Sequence, residues 1–404
     1  RRSRTGTIGS MRVLWLAGDF FDPPANGLFR YSKDVARAMQ GAGANVDFIG
    51  RRRDDQAGAV DDQAGAVDDW TLLEPHAVPA ARKLLGRWPV KVADVWGDDY
   101  GEAVRAALAA TSYDVVVIDH LRAAGALHLV PDDQPIIYLS HNDESVVKKD
   151  SAARLRYPQK ALMRWDERKI TNLENELLDR ALVITAIAEP DRQSFGARVA
   201  DGTDRVLTVE PPYRGPRVEA RAIDVDTPRR VVILNNLGWS VKLHNTLEFI
   251  EQTKRLAEGG VEIIVAGGWS DSRRLRRRYP WVHFAGFVPD LNALLAETRI
   301  GLVYEPVGGG FKMKTLDYVF RRVPMVVLKG SIAGIPLEPG VHYVEAANAV
   351  TMVDSCLRLV DDIEALNDLQ SRTYEALDGR FTAEDIGPRL CAFIEQKLSL
   401  RSLA

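Results

Sequence analysis

The chain has 404 residues, of which 46% are hydrophobic and 27% charged, the balance of a soluble globular protein, and at about 150 residues per domain it has room for two or three domains. A net charge of −3 excludes a general attraction to nucleic acid, and no apolar run approaches the roughly 20 residues that span a bilayer. Cys356 and Cys391 lie far apart and offer neither a disulfide framework nor a zinc spacing, which fits a reducing compartment.

Met11-Arg-Val-Leu-Trp-Leu-Ala begins like a native start, so residues 1–10 are expected to be upstream sequence. Arg12 to Ala17 predicts a strand, and residues 18–27 a loop rich in turn formers. A helix follows, with Tyr31, Val35, Ala38 and Met39 at helical spacing, then a strand at Val46–Ile49. In an open parallel sheet ligands bind where such a loop leaves its strand, which makes Asn26 and Gly27 candidate ligand-binding residues. The plain alternative is that Pro23, Pro24 and Gly27 only shape a turn. Asp54 to Val60 repeats at once as Asp61 to Val67, a polar duplication with no function assigned. Between Lys83 and Trp96, basic side chains alternate with Trp88 and Trp96. That pattern suits contact with a membrane interface, or else an ordinary packed segment with solvated charges.

Tyr113–Ile118 and Ile136–Leu139 predict buried strands, followed by Asp119-His120 and by Ser140-His-Asn-Asp-Glu-Ser145. Polar clusters at two strand ends line one crevice if the strands are neighbours. His120, His141, Asp143 and Glu144 are therefore candidates. Of the two adjacent carboxylates, Asp143 is expected to face the ligand as general base and Glu144 to brace the loop. Asp150 to Leu182 predicts one long helix, and Val183–Ile187 and Val206–Val209 further strands. Residues 213–229 predict a linker; the Asp224-Val-Asp226 pair in it follows no core strand.

The strand–helix alternation then restarts. Strands are expected at Arg230–Leu234, Val261–Ala266, Val282–Val288, Ile300–Tyr304 and Pro324–Leu328, with helices at 245–258, 291–298, 347–377 and 382–398. The arginines at 273, 274, 276, 277 and 278 predict a solvated helix face that suits acidic lipid. Gly308-Gly-Gly-Phe-Lys-Met-Lys-Thr-Leu-Asp317 lies between a strand and a helix start. Glycines there let the backbone approach a ligand, helix-start amides favour a phosphate, and Lys312 and Lys314 add positive charge. Met313 stands where a Walker P-loop needs glycine. The plain alternative is a strand-to-helix turn with solvated lysines. Two successive α/β halves imply two Rossmann-like domains facing each other across a cleft. The expected division is 11–212, a linker at 213–229, 230–384, and a C-terminal helix at 385–404 returning to the first domain.

In order, Gly238 to Lys242, Val265-Ala-Gly-Gly268, Val282 to Val288 with Leu291, and Lys314-Thr-Leu-Asp-Tyr followed by Pro324-Met-Val-Val resemble the nucleotide-sugar domain of GT-B glycosyltransferases, especially family 4 and the xanthan glucuronosyltransferase group. Ser140 to Ser145 and Leu173 to Ala186 look like the first half of the latter group. The resemblance covers most of Met11 to Leu398. It implies transfer of a sugar from a UDP- or GDP-linked donor to a saccharide or glycolipid acceptor in bacterial polysaccharide or glycoconjugate synthesis. It implies that the Gly286-Phe-Val288 turn holds the nucleobase, Asp317 the ribose, and Lys242, Lys314 and the amides of Gly309 and Gly310 the diphosphate. His120 then contacts the sugar if the reaction retains configuration. Two departures stand out: Gly309 occupies the place of the usual loop glutamate, and Asn236 that of the usual arginine.

Lysines and helix-end amides stabilise a diphosphate leaving group, so no metal and no cofactor is required. The expected setting is the cytoplasm, with peripheral contact at the inner face of the plasma membrane and no nucleic-acid partner. Rival readings are a sugar-nucleotide epimerase of the same fold and a non-catalytic nucleotide-sugar-binding protein.

Overall fold

The computed structural model describes residues 11–20, 27–52, 70–153, 159–238, 240–268, 272–306 and 311–403. The chain divides into two compact units, Arg1–Pro212 with Thr382–Ala404, and Tyr213–Phe381. Residues 213–229 belong with the second unit: Val218 donates its amide to the Phe320 carbonyl at 2.7 Å, and Arg221 reaches the Arg322 carbonyl at 2.8 Å.

The first unit holds β1 (Arg12–Asp19), β2 (Asn45–Arg51), β3 (Trp70–Leu73), β4 (Val115–Asp119), β5 (Ile136–Leu139), β6 (Val183–Ala186) and β7 (Val206–Thr208). Their order is β3-β2-β1-β4-β5-β6-β7, all parallel. A parallel sheet is covered on both faces, so its strands read as unbroken apolar runs; β4 and β5 are buried at every residue. The edge strand β3 is unannounced in the sequence. Trp70 stacks flat on Phe48, with ring centroids 4.7 Å apart.

The helices of this unit are α1 (Gly27–Gly41), α2 (Ala80–Leu85), α3 (Val90–Ala93), α4 (Asp98–Ala110), a 3-10 helix (Leu121–Leu129), α5 (Glu144–Ala153), α6 (Gln159–Arg180) and α7 (Glu189–Gly196). The single helix expected over Asp150–Leu182 is instead the end of α5 and the whole of α6, which pack as a pair.

The second unit holds β8 (Arg230–Leu234), β9 (Glu262–Ala266), β10 (Val282–Gly286), β11 (Ile300–Val303), β12 (Met325–Leu328) and β13 (Val344–Ala346), with α8 (Ser240–Ile250), α9 (Lys254–Glu258), α10 (Ser272–Arg278), α11 (Leu291–Ala296), α12 (Met313–Phe320), α13 (Ala349–Leu359) and α14 (Ile363–Leu377). Its sheet is also parallel, in the order β10-β9-β8-β11-β12-β13. Tyr318 fastens α12 beneath this sheet. Its hydroxyl donates to the Val232 carbonyl at 2.9 Å and accepts the Leu234 amide at 3.1 Å. Its ring fills the space that a side chain at Gly301 would take, 2.6 Å from a Cβ there.

In each sheet the chain reverses its direction of travel beside the first strand, between β1 and β4 and between β8 and β11. The loops on either side part there, at the carboxyl ends, and leave a crevice in which ligands of such sheets bind.

The last helix, α15 (Ile386–Leu403), lies on α1 in the first unit. A Cβ at Gly387 would stand 1.9 Å from the Ala38 carbonyl oxygen. Gly387→Val is therefore expected to lower stability by about 1–3 kcal/mol, as overpacking does. Gly41→Ala, with nothing within 4 Å of its Cβ, is expected to change little. Urea melts of the two variants check this; equal midpoints would remove the helix contact as a determinant of stability.

Candidate active site

In the second unit the switch point between β8 and β11 is occupied by an ion cluster. Glu305, two residues past β11, has a fully buried side chain. One of its oxygens accepts the Lys314 ammonium, and the other accepts Lys242 at 2.6 Å and the Asn245 amide at 3.0 Å. Lys314, in the first turn of α12, also donates to the side-chain oxygen of Asn235 at the end of β8. Asn235 is held in turn by Thr246 at 2.9 Å. Two ammoniums face one carboxylate, so the cluster has a surplus positive charge. Lys314 spends two of its three N–H groups inside the protein, which leaves one for a ligand.

The titration of the cluster follows from this packing. Burial alone would raise the Glu305 carboxyl, but Lys314 and Lys242 outweigh it and hold it at about 2. Burial pushes Lys314 down to about 8, and Glu305 only partly offsets that. The folded chain thus binds fewer protons than the unfolded one between about 8 and the ordinary lysine value. Over that window this group's contribution to stability rises with pH, while the charge available to an anion is lost. Affinity for a nucleoside diphosphate is expected to fall as pH rises through about 8, by up to about tenfold per pH unit. Calorimetry with UDP on either side of that pH checks it; a flat profile would mean that the Lys314 charge is not used.

Asp317 sits one turn further along α12. Its Oδ1 accepts Arg321 at 2.5 Å and the Tyr213 hydroxyl at 3.3 Å, while Oδ2 has no partner among the described residues. The carboxylate is oriented on one side and open on the other. Gly286 closes β10 with φ 70°, a left-handed conformation suited to glycine, and its carbonyl accepts the Gly267 amide at 2.7 Å. Gly267 has no substitute: a Cβ there would lie 1.9 Å from the Asn235 carbonyl oxygen. Phe287, next to Gly286, is 79% exposed, and Val288 is half-buried. Gly309 and Gly310 lie outside the described residues.

In the first unit the switch point between β1 and β4 holds a second polar cluster. A cavity of about 10 Å³ is lined by Gly18, Asp19, Phe29, Ser32, Asp119, His120 and Arg122. Asp119 accepts the Trp15 indole at 3.0 Å, the Ser32 hydroxyl at 3.0 Å and His141 Nε2 at 2.7 Å. With Nε2 donating, the lone pair of His141 is on Nδ1, which is buried and has no partner among the described residues.

His120 is placed differently from a general base. Its Nδ1 accepts the Arg122 amide at 3.1 Å and its Nε2 meets Glu144 at 2.8 Å, so both nitrogens are committed. Burial pushes the ring down to about 4 despite Glu144, which keeps it neutral. Burial would raise Glu144, but His120 and Lys91 together hold it well below the carboxylate range. Glu144 is a buried brace and presents no open carboxylate to an acceptor. Gly27 is the first residue of α1; Asn26 lies outside the described residues.

The expectation that Asp143 faces a ligand is not met. Its side chain is 3% exposed and caps α5, Oδ1 accepting the Val146 amide at 3.0 Å. Ser194 and Arg198 hold it at 2.6 and 3.1 Å. Glu174, from α6, accepts the Glu144 and Ser145 amides at 3.0 and 3.2 Å and Arg198 at 2.9 Å. The Ser140–Ser145 segment is thus largely a helix-capping device tied to α6 and α7. The sequence reading missed Glu305, Asn235, Glu174 and Arg198. Only the position of Glu305 and Asn235 just past strand ends could have drawn attention to them.

Residues 228–362 match the family Glycosyl transferases group 1. No curated protein sequence matches the chain. Similar solved structures include Anabaena Alr3699/HepE in complex with UDP and glucose (TM-score 0.63, 14% identity, covering 96% of this chain and 100% of that one). WaaG, a glycosyltransferase involved in lipopolysaccharide biosynthesis, is similar at TM-score 0.60 and 11% identity, covering 95% and 99%. The α,α-trehalose 6-phosphate synthase from Burkholderia multivorans is similar at TM-score 0.61 and 13% identity, covering 98% and 100%. At these identities the structures establish the fold, that of the GT-B glycosyltransferases, and the family match assigns a group 1 glycosyl transferase domain to residues 228–362 in the second unit.

Proposed function

We propose that the second unit binds a UDP-linked sugar and that the first binds a saccharide or lipid-linked acceptor. The observation that carries the donor assignment is the Lys242–Glu305–Lys314 cluster at the β8/β11 switch point. Breaking the glycosidic bond to a diphosphate leaves a growing negative charge on the leaving oxygen. Preorganised ammoniums with a surplus positive charge stabilise it without reorganisation. Asp317 Oδ2 takes a ribose hydroxyl, and the Gly286–Val288 turn receives the base. The amides of Gly309 and Gly310 complete the diphosphate contacts on sequence grounds. UDP is preferred to GDP because HepE is bound to UDP in one solved structure and to UDP-glucose in another.

On the acceptor side, Asp119 orients His141 and leaves its Nδ1 to accept a hydrogen bond from an acceptor hydroxyl. His120 and Glu144 shape the same region as neutral and anionic braces. A thermal-shift screen with UDP, GDP and their sugars tests the donor assignment, followed by UDP release on adding saccharide acceptors. A rise in melting temperature with UDP and its sugars supports it. No shift with any nucleoside diphosphate would overturn it. Interconversion of the donor sugar without acceptor would assign an epimerase.

A further inference from the structure

Part of the first unit's surface is not used by either cluster. Leu85 at the end of α2 is 80% exposed, and Leu162 and Trp165 near the start of α6 are 48% and 53% exposed. Lys169 ties these pieces together. Its ammonium donates to the carbonyls of Leu84 and Gly86 at 2.9 and 2.6 Å and lies 5.5 Å from the centre of the Trp165 ring. Leu162 and Trp165, three apart on α6, share one stripe. Large apolar side chains clustered at the surface mark a contact site.

The charges around them have one sign. Arg82, Arg164 and Arg168 are exposed, and among the described residues none of them makes an ion pair. The nearby acids are turned inward or neutralised. Asp166 is buried under Lys148 and the Val90 amide at 2.7 and 2.8 Å, Asp94 is paired with Lys83, and Glu144 is buried against Lys91. Glu167 is half-buried at the edge. A chain with a net charge of −3 thus shows a local positive face. Tryptophan and leucine flanked by unpaired arginines match the boundary between anionic headgroups and acyl chains. No helix among the described residues is long and apolar enough to cross a membrane, so contact here is from the side.

We propose that this face rests on an anionic phospholipid surface. Leu85, Leu162 and Trp165 enter the headgroup boundary, and Arg82, Arg164 and Arg168 meet the headgroup phosphates. The full chain is tested by co-sedimentation with vesicles of phosphatidylcholine alone and of phosphatidylcholine with phosphatidylglycerol. Partition onto the mixed vesicles only, lost in high salt, is expected. Arg164→Gln with Arg168→Gln is expected to weaken it roughly 30-fold. Leu162→Ala with Trp165→Ala is expected to weaken the partition at low salt as well, and both pairs are expected to keep the parent's melting temperature. No partition onto anionic vesicles, equal partition onto neutral ones, or unchanged partition of folded variants would each overturn the proposal. So would a self-association of the chain, seen in sedimentation velocity, that the Leu162→Ala, Trp165→Ala pair removes, since the face would then belong to a second copy.

Discussion

Lys314→Ala is expected to weaken UDP binding about 10- to 150-fold, the range that corresponds to the roughly 1.5–3 kcal/mol of one charge-assisted hydrogen bond. The substitution removes the more buried of the two ammoniums. Glu305 keeps Lys242 and Asn245 as partners, so its carboxylate is not left unpaired and the fold is expected to persist. Lys314→Ala should also flatten the loss of affinity above pH 8, because the group that titrates there is gone. Calorimetry with UDP on the parent and variant reads both effects. Unchanged affinity in a variant that still melts cooperatively would place the diphosphate away from this cluster.

The parallel strands were the most legible part of the chain. Runs such as Val115–Ile118 and Ile300–Tyr304 are apolar throughout because both faces of each sheet are covered, and that leaves little choice of assignment. Lys314 and Asp317 drew attention by their place after a strand-and-glycine loop. Glu305 was not: beside a proline it reads as the end of a strand. Its burial follows from Lys242 and Lys314, which are 63 and 9 residues away along the chain. His120 and Asp143 were found as polar residues at strand ends, but their roles depended on partners no spacing reveals. Arg198 reaches Asp143 across 55 positions and Glu174 across 24. Local pattern identifies which residues leave a strand toward a ligand, whereas long-range pairing decides which of them have a free lone pair or N–H when they arrive.

That distinction has its largest energetic consequence at Arg198. Its Nη1 bridges Asp143 at 3.1 Å and Glu174 at 2.9 Å, two carboxylates whose side chains are 3% and 0% exposed. Burial and the neighbouring Asp143 push the Glu174 carboxyl up even with the arginine present. Arg198→Ala leaves two buried like charges side by side and is expected to cost about 3–5 kcal/mol of stability, as breaking a buried pair does. The loss should depend on pH with a definite sign. Without the arginine Glu174 rises further, so the folded variant binds more protons than the unfolded chain above the ordinary carboxylate range, and its deficit grows as pH rises toward neutrality. Asp143→Asn is the informative partner. Asparagine still offers an oxygen to the Val146 amide, and it is a good helix cap. It loses the charge that Arg198 meets, but it also relieves Glu174 of a neighbouring carboxylate. Stability is expected to fall by about 1–3 kcal/mol, with turnover close to the parent's at a temperature where both are folded. Urea melts at two pH values and initial rates of UDP release separate the cases. A collapse of turnover in Asp143→Asn without loss of stability would make Asp143 the proton acceptor of the reaction and reduce its capping of α5 to a resting arrangement.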